Sequence, residues 1–128
     1  MNSYILGIGG ILFRSNNPEE TRNWYKTHFG LESEKWGAYF QWRMQDNAEK
    51  SAGTTWCAFK NDTDYFGESG QEFMVNYIVR DMDELLQNLA KQGIGQVKPA
   101  ENTDFGKFAW VNDSDGRRIE LWEPAAES

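Results

Sequence analysis

Apolar and polar positions alternate along this chain in a pattern that occurs twice. Ile5, Leu6, Ile8, Ile11, Leu12 and Phe13 crowd around glycines from Ile5 to Phe13, which predicts a buried strand. Gly9 and Gly10 inside it mark a close backbone approach or a bulge. Ser15-Asn16-Asn17-Pro18-Glu19-Glu20 then reads as a helix start, with Asn17 as N-cap, Pro18 in the first turn and two glutamates at the positive end of the dipole. Thr21, Trp24, Tyr25, His28 and Phe29 form one stripe, and Gly30 is placed to end the helix. From Leu31 to Phe59 the pattern is β-like, with Asp46 to Gly53 as a polar hairpin connection.

The second half repeats that order. Phe73 to Val79 predicts a strand, and Asp81 is the expected cap of a helix carrying Met82, Leu85, Leu86 and Leu89, which Gly93 ends. Val97 to Pro99 predicts a short strand. Phe108 to Val111 and Arg118 to Trp122 predict a hairpin around Asn112-Asp113-Ser114-Asp115-Gly116. The repeat is of element order, not of residue identity. Two such small halves bury too little alone, so they are expected to share one core with a cleft between them.

Composition narrows the class. With 128 residues, 39% hydrophobic and 15% aromatic, the chain can build a core and is not a disordered segment. A net charge of −7 opposes binding to nucleic-acid phosphates and mildly favours a cationic or neutral guest. A lone cysteine, Cys57, cannot form an internal disulfide and fits a reducing compartment. Met1 to Leu6 lacks the basic region of a signal peptide, and no apolar run approaches spanning length, so a cytoplasmic protein without a membrane partner is expected.

Three pieces in order carry a family resemblance: Asn17 to Leu31, Val79-Arg80-Asp81-Met82-Asp83-Glu84-Leu85, and Asp113 to Pro124 with its Ile119-Glu120-Leu121-Trp122-Glu123-Pro124 ending. Together they resemble the vicinal oxygen chelate superfamily, which includes glyoxalase I, extradiol dioxygenases and bleomycin-resistance proteins. The resemblance implies an α+β fold of two βαβββ modules paired into a partly open, barrel-like sheet with helices outside. It makes residues 1–128 one domain, with module one over about 4–60, a linker over about 61–72 and module two over about 73–124. It also implies a homodimer.

Metal-dependent members take ligands from the first and last strands of each module. By position these fall on Gly10, Met74, the neighbourhood of Trp56 or Cys57, and Glu120. Glycine offers no side chain, a thioether is a poor ligand for hard or borderline cations, and a catalytic site needs about three protein ligands. The sole histidine, His28, lies in the first helix, where a packing or C-terminal role is expected. Metal-dependent chemistry, and any other cofactor, is therefore not expected.

The remaining candidates line a cleft. Glu120, between Ile119 and Leu121, points opposite to them; it either binds a ligand or acts as a base, or is a relic carboxylate satisfied by a neighbouring arginine or water. Arg14 and Asn76 share the parity of Gly10 and Met74 respectively and offer hydrogen bonds. Trp122, Trp42 and Trp56 are candidate aromatic walls, each weighed against an ordinary core role. Tyr65-Phe66-Gly67 either lids the cleft or pins the linker. The expected function is metal-independent binding of a small molecule in an aromatic cleft. The rivals are a lyase, isomerase or hydrolase using Glu120 as acid/base or as part of a degenerate metal site, and a structural or regulatory dimer whose cleft is vestigial.

Overall fold

The computed structural model describes residues 3–126. Its order is β1 (Ile5–Ser15), α1 (Pro18–Phe29), β2 (Ala38–Met44), β3 (Asn47–Lys60), β4 (Phe73–Val79), α2 (Met82–Lys91), β5 (Lys98–Thr103), β6 (Gly106–Asn112) and β7 (Arg118–Pro124). The seven strands form one mixed sheet in the order β2-β3-β1-β4-β7-β6-β5. This is the expected α+β arrangement: an open sheet with helices outside.

The two halves mirror each other across the antiparallel β1–β4 seam. On each side the first strand of a module pairs in parallel with the last, β1 with β3 and β4 with β7. The halves differ at one point. Where the second has β5, the first keeps an isolated bridge between Glu34 and Gly37, so it closes as βαββ.

Helix α1 forms as its sequence dictates. Asn17 accepts from the Glu20 amide at 3.1 Å, and Gly30 takes the left-handed conformation at φ 71° while its N–H returns to the Lys26 carbonyl. Helix α2 starts differently from expectation. Asp81 has φ 50° and turns its carboxylate to Arg80 at 2.8 Å, so it does not cap. The freed Met82 amide donates instead to Glu123 Oε1 at 3.0 Å, a cap supplied from the last strand. The first hairpin also differs: Gln45-Asp46 makes the turn, and the polar segment 47–53, expected as a connection, already belongs to β3. Residues 47–51 are all exposed at this edge, so no buried face imposes apolar alternation on them.

Strand alternation assigns the two faces of the sheet. Val79, Leu121, Ala109 and Val111 turn towards α2 and pack with Met82 and Leu85. The opposite face holds Leu12, Met74 and Trp110, covered not by a helix but by Phe66 from the linker, which is 0% exposed. Burying that ring stabilises the fold by roughly 1.5–3 kcal/mol. Among the described residues no helix is long and apolar enough to cross a membrane.

Candidate functional site

The seam brings four backbone positions into one row. Thr55 on β3 pairs with Gly10, Gly10 with Asn76, and Asn76 with Glu120. This corrects two positions inferred from the sequence. Asn76, not Met74, stands on β4 beside Glu120, and Thr55, not Trp56 or Cys57, stands on β3. Met74 lies opposite Leu12, fully buried. An irregularity in β1 between Ile8 and Gly10 shifts the register there, which residue counting does not anticipate.

Glu120, at the end of the row, is 6% exposed. A carboxylate buried so far needs donors, and it has three. Asn76 Nδ2 donates to Oε1 at 2.6 Å, Trp110 Nε1 donates to Oε2 at 3.1 Å, and the Tyr65 hydroxyl also donates to Oε2. Neither an arginine nor water is needed to satisfy it. Burial, reinforced by the adjoining Glu120 charge and its hydrogen bond, pushes the Tyr65 phenol far above its ordinary range. The Tyr65 ring stacks on Phe59 with centroids 5.5 Å apart, and Lys98 lies over the Tyr65 and Trp110 rings while pairing with Glu101 at 3.7 Å.

Above this floor opens a pocket of about 200 Å³. Gly9, Gly10, Thr55, Asn76 and Glu120 form its polar and backbone side; Leu12, Phe105, Phe108 and Trp122 form its apolar side. Phe108 and Trp122 are stacked, 5.8 Å between centroids, and Trp122 Nε1 donates to the Phe105 carbonyl at 2.8 Å. Gly9 has a steric reason: a Cβ there would meet Asn76 Oδ1 at 2.2 Å. A larger groove of about 500 Å³, lined among others by Tyr39, Gly53 and Arg80, adjoins through Trp122.

The structure therefore brings Glu120, Asn76 and Trp122 together and places the other candidates elsewhere. Arg14 is turned into the linker, donating to the carbonyls of Asn61 and Thr63 at 2.8 Å and of Gln71 at 2.9 Å, with its guanidinium over Phe66. Trp42 donates to Thr54 Oγ1 at 2.9 Å and its ring closes on Gly7. Trp56 packs between Phe13 and Tyr25, on the side of α1. His28 lies against Trp24 in the last turn of α1. Cys57 is half-buried, and burial raises its thiol pKa. Sequence reasoning missed Trp110, and it named Tyr65 only as part of a lid or a pin for the linker, not as a donor to Glu120. Trp110 was legible in principle, since it faces Glu120 across the β6–β7 hairpin. Tyr65 comes from an irregular linker and carries no such signal.

The donor set does not fit a divalent cation. Gly10 has no side chain, Thr55 and Asn76 are neutral, and the one carboxylate already holds three donors. Among the described residues no three of His, Cys, Asp and Glu come together.

No protein-family model and no curated protein matches the sequence. Solved structures do match its shape. Methylmalonyl-CoA epimerase from Mycobacterium tuberculosis is 19% identical, covers 98% of this chain and 93% of its own, and superposes with a TM-score of 0.63. A variant of the Streptomyces coelicolor methylmalonyl-CoA epimerase in complex with 2-nitronate-propionyl-CoA is 15% identical, with 95% and 99% coverage and a TM-score of 0.69. The chain has the fold of these epimerases. A structure described as NAD-dependent benzaldehyde dehydrogenase from Legionella pneumophila also matches, at 18% identity, 91% and 98% coverage and a TM-score of 0.57. Identities this low establish the shared fold alone and leave activity to the site itself.

Proposed function

We propose that this chain is a metal-independent small-molecule binding protein of the vicinal oxygen chelate superfamily, with its guest seated in the pocket between the modules. One observation carries the reading: a buried carboxylate held by three donors lies at the floor of a pocket walled by stacked aromatic rings. Aromatic walls supply contact area and a few fixed polar groups supply orientation, which is the chemistry of a binding site. At about 200 Å³ the pocket takes a guest built on one ring.

Glu120 as an acid/base is the weaker reading. A general base must reach the substrate proton at hydrogen-bond distance, and of the two Glu120 oxygens Oε2 is filled by Tyr65 and Trp110 while Oε1 already accepts from Asn76. The group nearest to it that could relay a proton is Tyr65, whose phenol is held protonated by burial and by that same carboxylate. We also read the protein as a homodimer. Phe29 at 70% and Trp24 at 51% exposed leave an aromatic surface on α1, a helix none of whose residues is buried, and such a surface favours a protein partner.

A thermal-shift screen of single-ring aromatic compounds, followed by calorimetry on the hits, tests the binding reading. Binding that is lost or weakened at least tenfold in Trp122→Ala is the expected result. A screen without a hit, or affinity indifferent to Trp122, rejects it.

A further inference from the structure

We propose that the guest carries an ammonium group on its ring and that Glu120 and Asn76 are the pair that receives it. The inference rests on the binding reading above and adds the chemical class of the ligand. Its basis is a count of acceptors at the pocket floor. A carboxylate oxygen accepts about two hydrogen bonds. Glu120 Oε2 has both, from Tyr65 and Trp110, whereas Oε1 has one, from Asn76 Nδ2 at 2.6 Å. Asn76 is 4% exposed, and its Oδ1 has no donor among the described residues. The carboxamide cannot be reversed to cure this, because its oxygen would then face the carboxylate. Two acceptors on adjacent strands are thus left with capacity, and one of them belongs to a charged group.

Charge selects among possible donors. A hydroxyl or an amide could fill either acceptor, but the floor carries a formal negative charge that a neutral guest leaves uncompensated. The nearby cation Lys98 lies over the Trp110 and Tyr65 rings and pairs with Glu101 at 3.7 Å. An ammonium group brings three donors and the complementary charge, and the Trp122 and Phe108 faces of the same pocket attract a cation as well as an apolar ring. The volume limits the guest in this pocket to one ring with a short amine arm, and a longer substituent would leave past Trp122 into the adjoining groove.

Isothermal titration of the full chain at pH 7 with benzylamine, benzyl alcohol, toluene and benzoate tests this. Benzylamine is expected to bind at least tenfold tighter than benzyl alcohol, with benzoate not binding. In Glu120→Gln, checked for native circular dichroism, the amine should fall to the level of the alcohol. Equal affinities for benzylamine, benzyl alcohol and toluene in the unaltered chain would overturn the ammonium assignment while leaving the binding reading intact. Amine preference that survives in folded Glu120→Gln would overturn it too. If none of the four compounds binds and the wider single-ring screen is also empty, the binding reading itself falls.

Discussion

Replacing Tyr65 by Phe removes one oxygen and little else. The ring remains free to stack on Phe59, and the linker backbone keeps its hydrogen bond from Arg118 to the Tyr65 carbonyl. What is lost is one of three donors to a carboxylate that is 6% exposed. A hydrogen bond to a charged group contributes about 1.5–3 kcal/mol, so Tyr65→Phe should lower the unfolding free energy by that amount at pH 7. Urea denaturation followed by circular dichroism reads it as a lower midpoint with an unchanged slope. The pH dependence gives a sharper test. Because the folded-state phenol ionises well above its ordinary value near 10, stability from Tyr65 is complete below pH 10. Above it the unfolded chain gives up a proton that the folded chain keeps, and stability falls. The limiting slope is about 1.4 kcal/mol per pH unit, reduced by screening because Tyr65 is half-buried. The unaltered protein should therefore lose stability between pH 10 and 11 more steeply than Tyr65→Phe. Parallel profiles over that range, or a cost at pH 7 below about 0.5 kcal/mol, would refute the account of Glu120 as a carboxylate held by Tyr65.

Five other substitutions probe separate parts of the structure. Asn76→Asp sets a second carboxylate against Glu120 and should cost about 2–4 kcal/mol at neutral pH, with recovery on acidification as one of the pair takes up a proton; an acid titration of the melting temperature checks the direction. Gly9→Ala drives a methyl group into Asn76 Oδ1 and should destabilise by about 1–3 kcal/mol in urea denaturation. Glu123→Ala removes the cap from α2 and should cost about 0.5–2 kcal/mol, whereas Asp81→Asn, at a residue whose side chain does not cap, should cost much less. Arg14→Met deletes three hydrogen bonds to the linker carbonyls, and limited proteolysis should then cut within residues 61–71 at least tenfold faster.

The legible parts of this fold are those whose signal is local. Asn17, Pro18 and Gly30 bound α1 because a cap and a left-handed glycine act within one turn. The apolar alternation of β4, β6 and β7 is legible because α2 buries one face of each strand. The β2–β3 hairpin was misplaced because residues 47–51 are exposed where β3 runs beyond its pairing with β1, and polarity there carries no period. Asp81 misled because a capping-type residue followed by a helix has two uses for its carboxylate, and Arg80 next to it won. Of the site, Glu120 was found from parity and the family pattern. Its partners depend on long-range pairing: Asn76 is 44 positions away, and Tyr65 arrives from an irregular segment. Two one-residue irregularities in β1, between Ile5 and Gly7 and between Ile8 and Gly10, together set Gly10 opposite Asn76 where an unbroken count from Ile5 would set it opposite Met74.

The burial of Phe66 has a consequence for how this chain can be cut and rejoined. A connection between duplicated halves is usually treated as a tether whose length is free to vary. Here it supplies a fully buried ring to the shared interior and a donor to the central carboxylate, and it is tied down by arginines from both halves, Arg14 and Arg118. Neither half is therefore complete without the segment that joins them. New termini belong at the exposed turns Gln45-Asp46 or Ser114-Asp115, where the chain reverses without entering the interior. Opened between residues 61 and 71 instead, a permuted chain would have to hold its centre together with two loose ends.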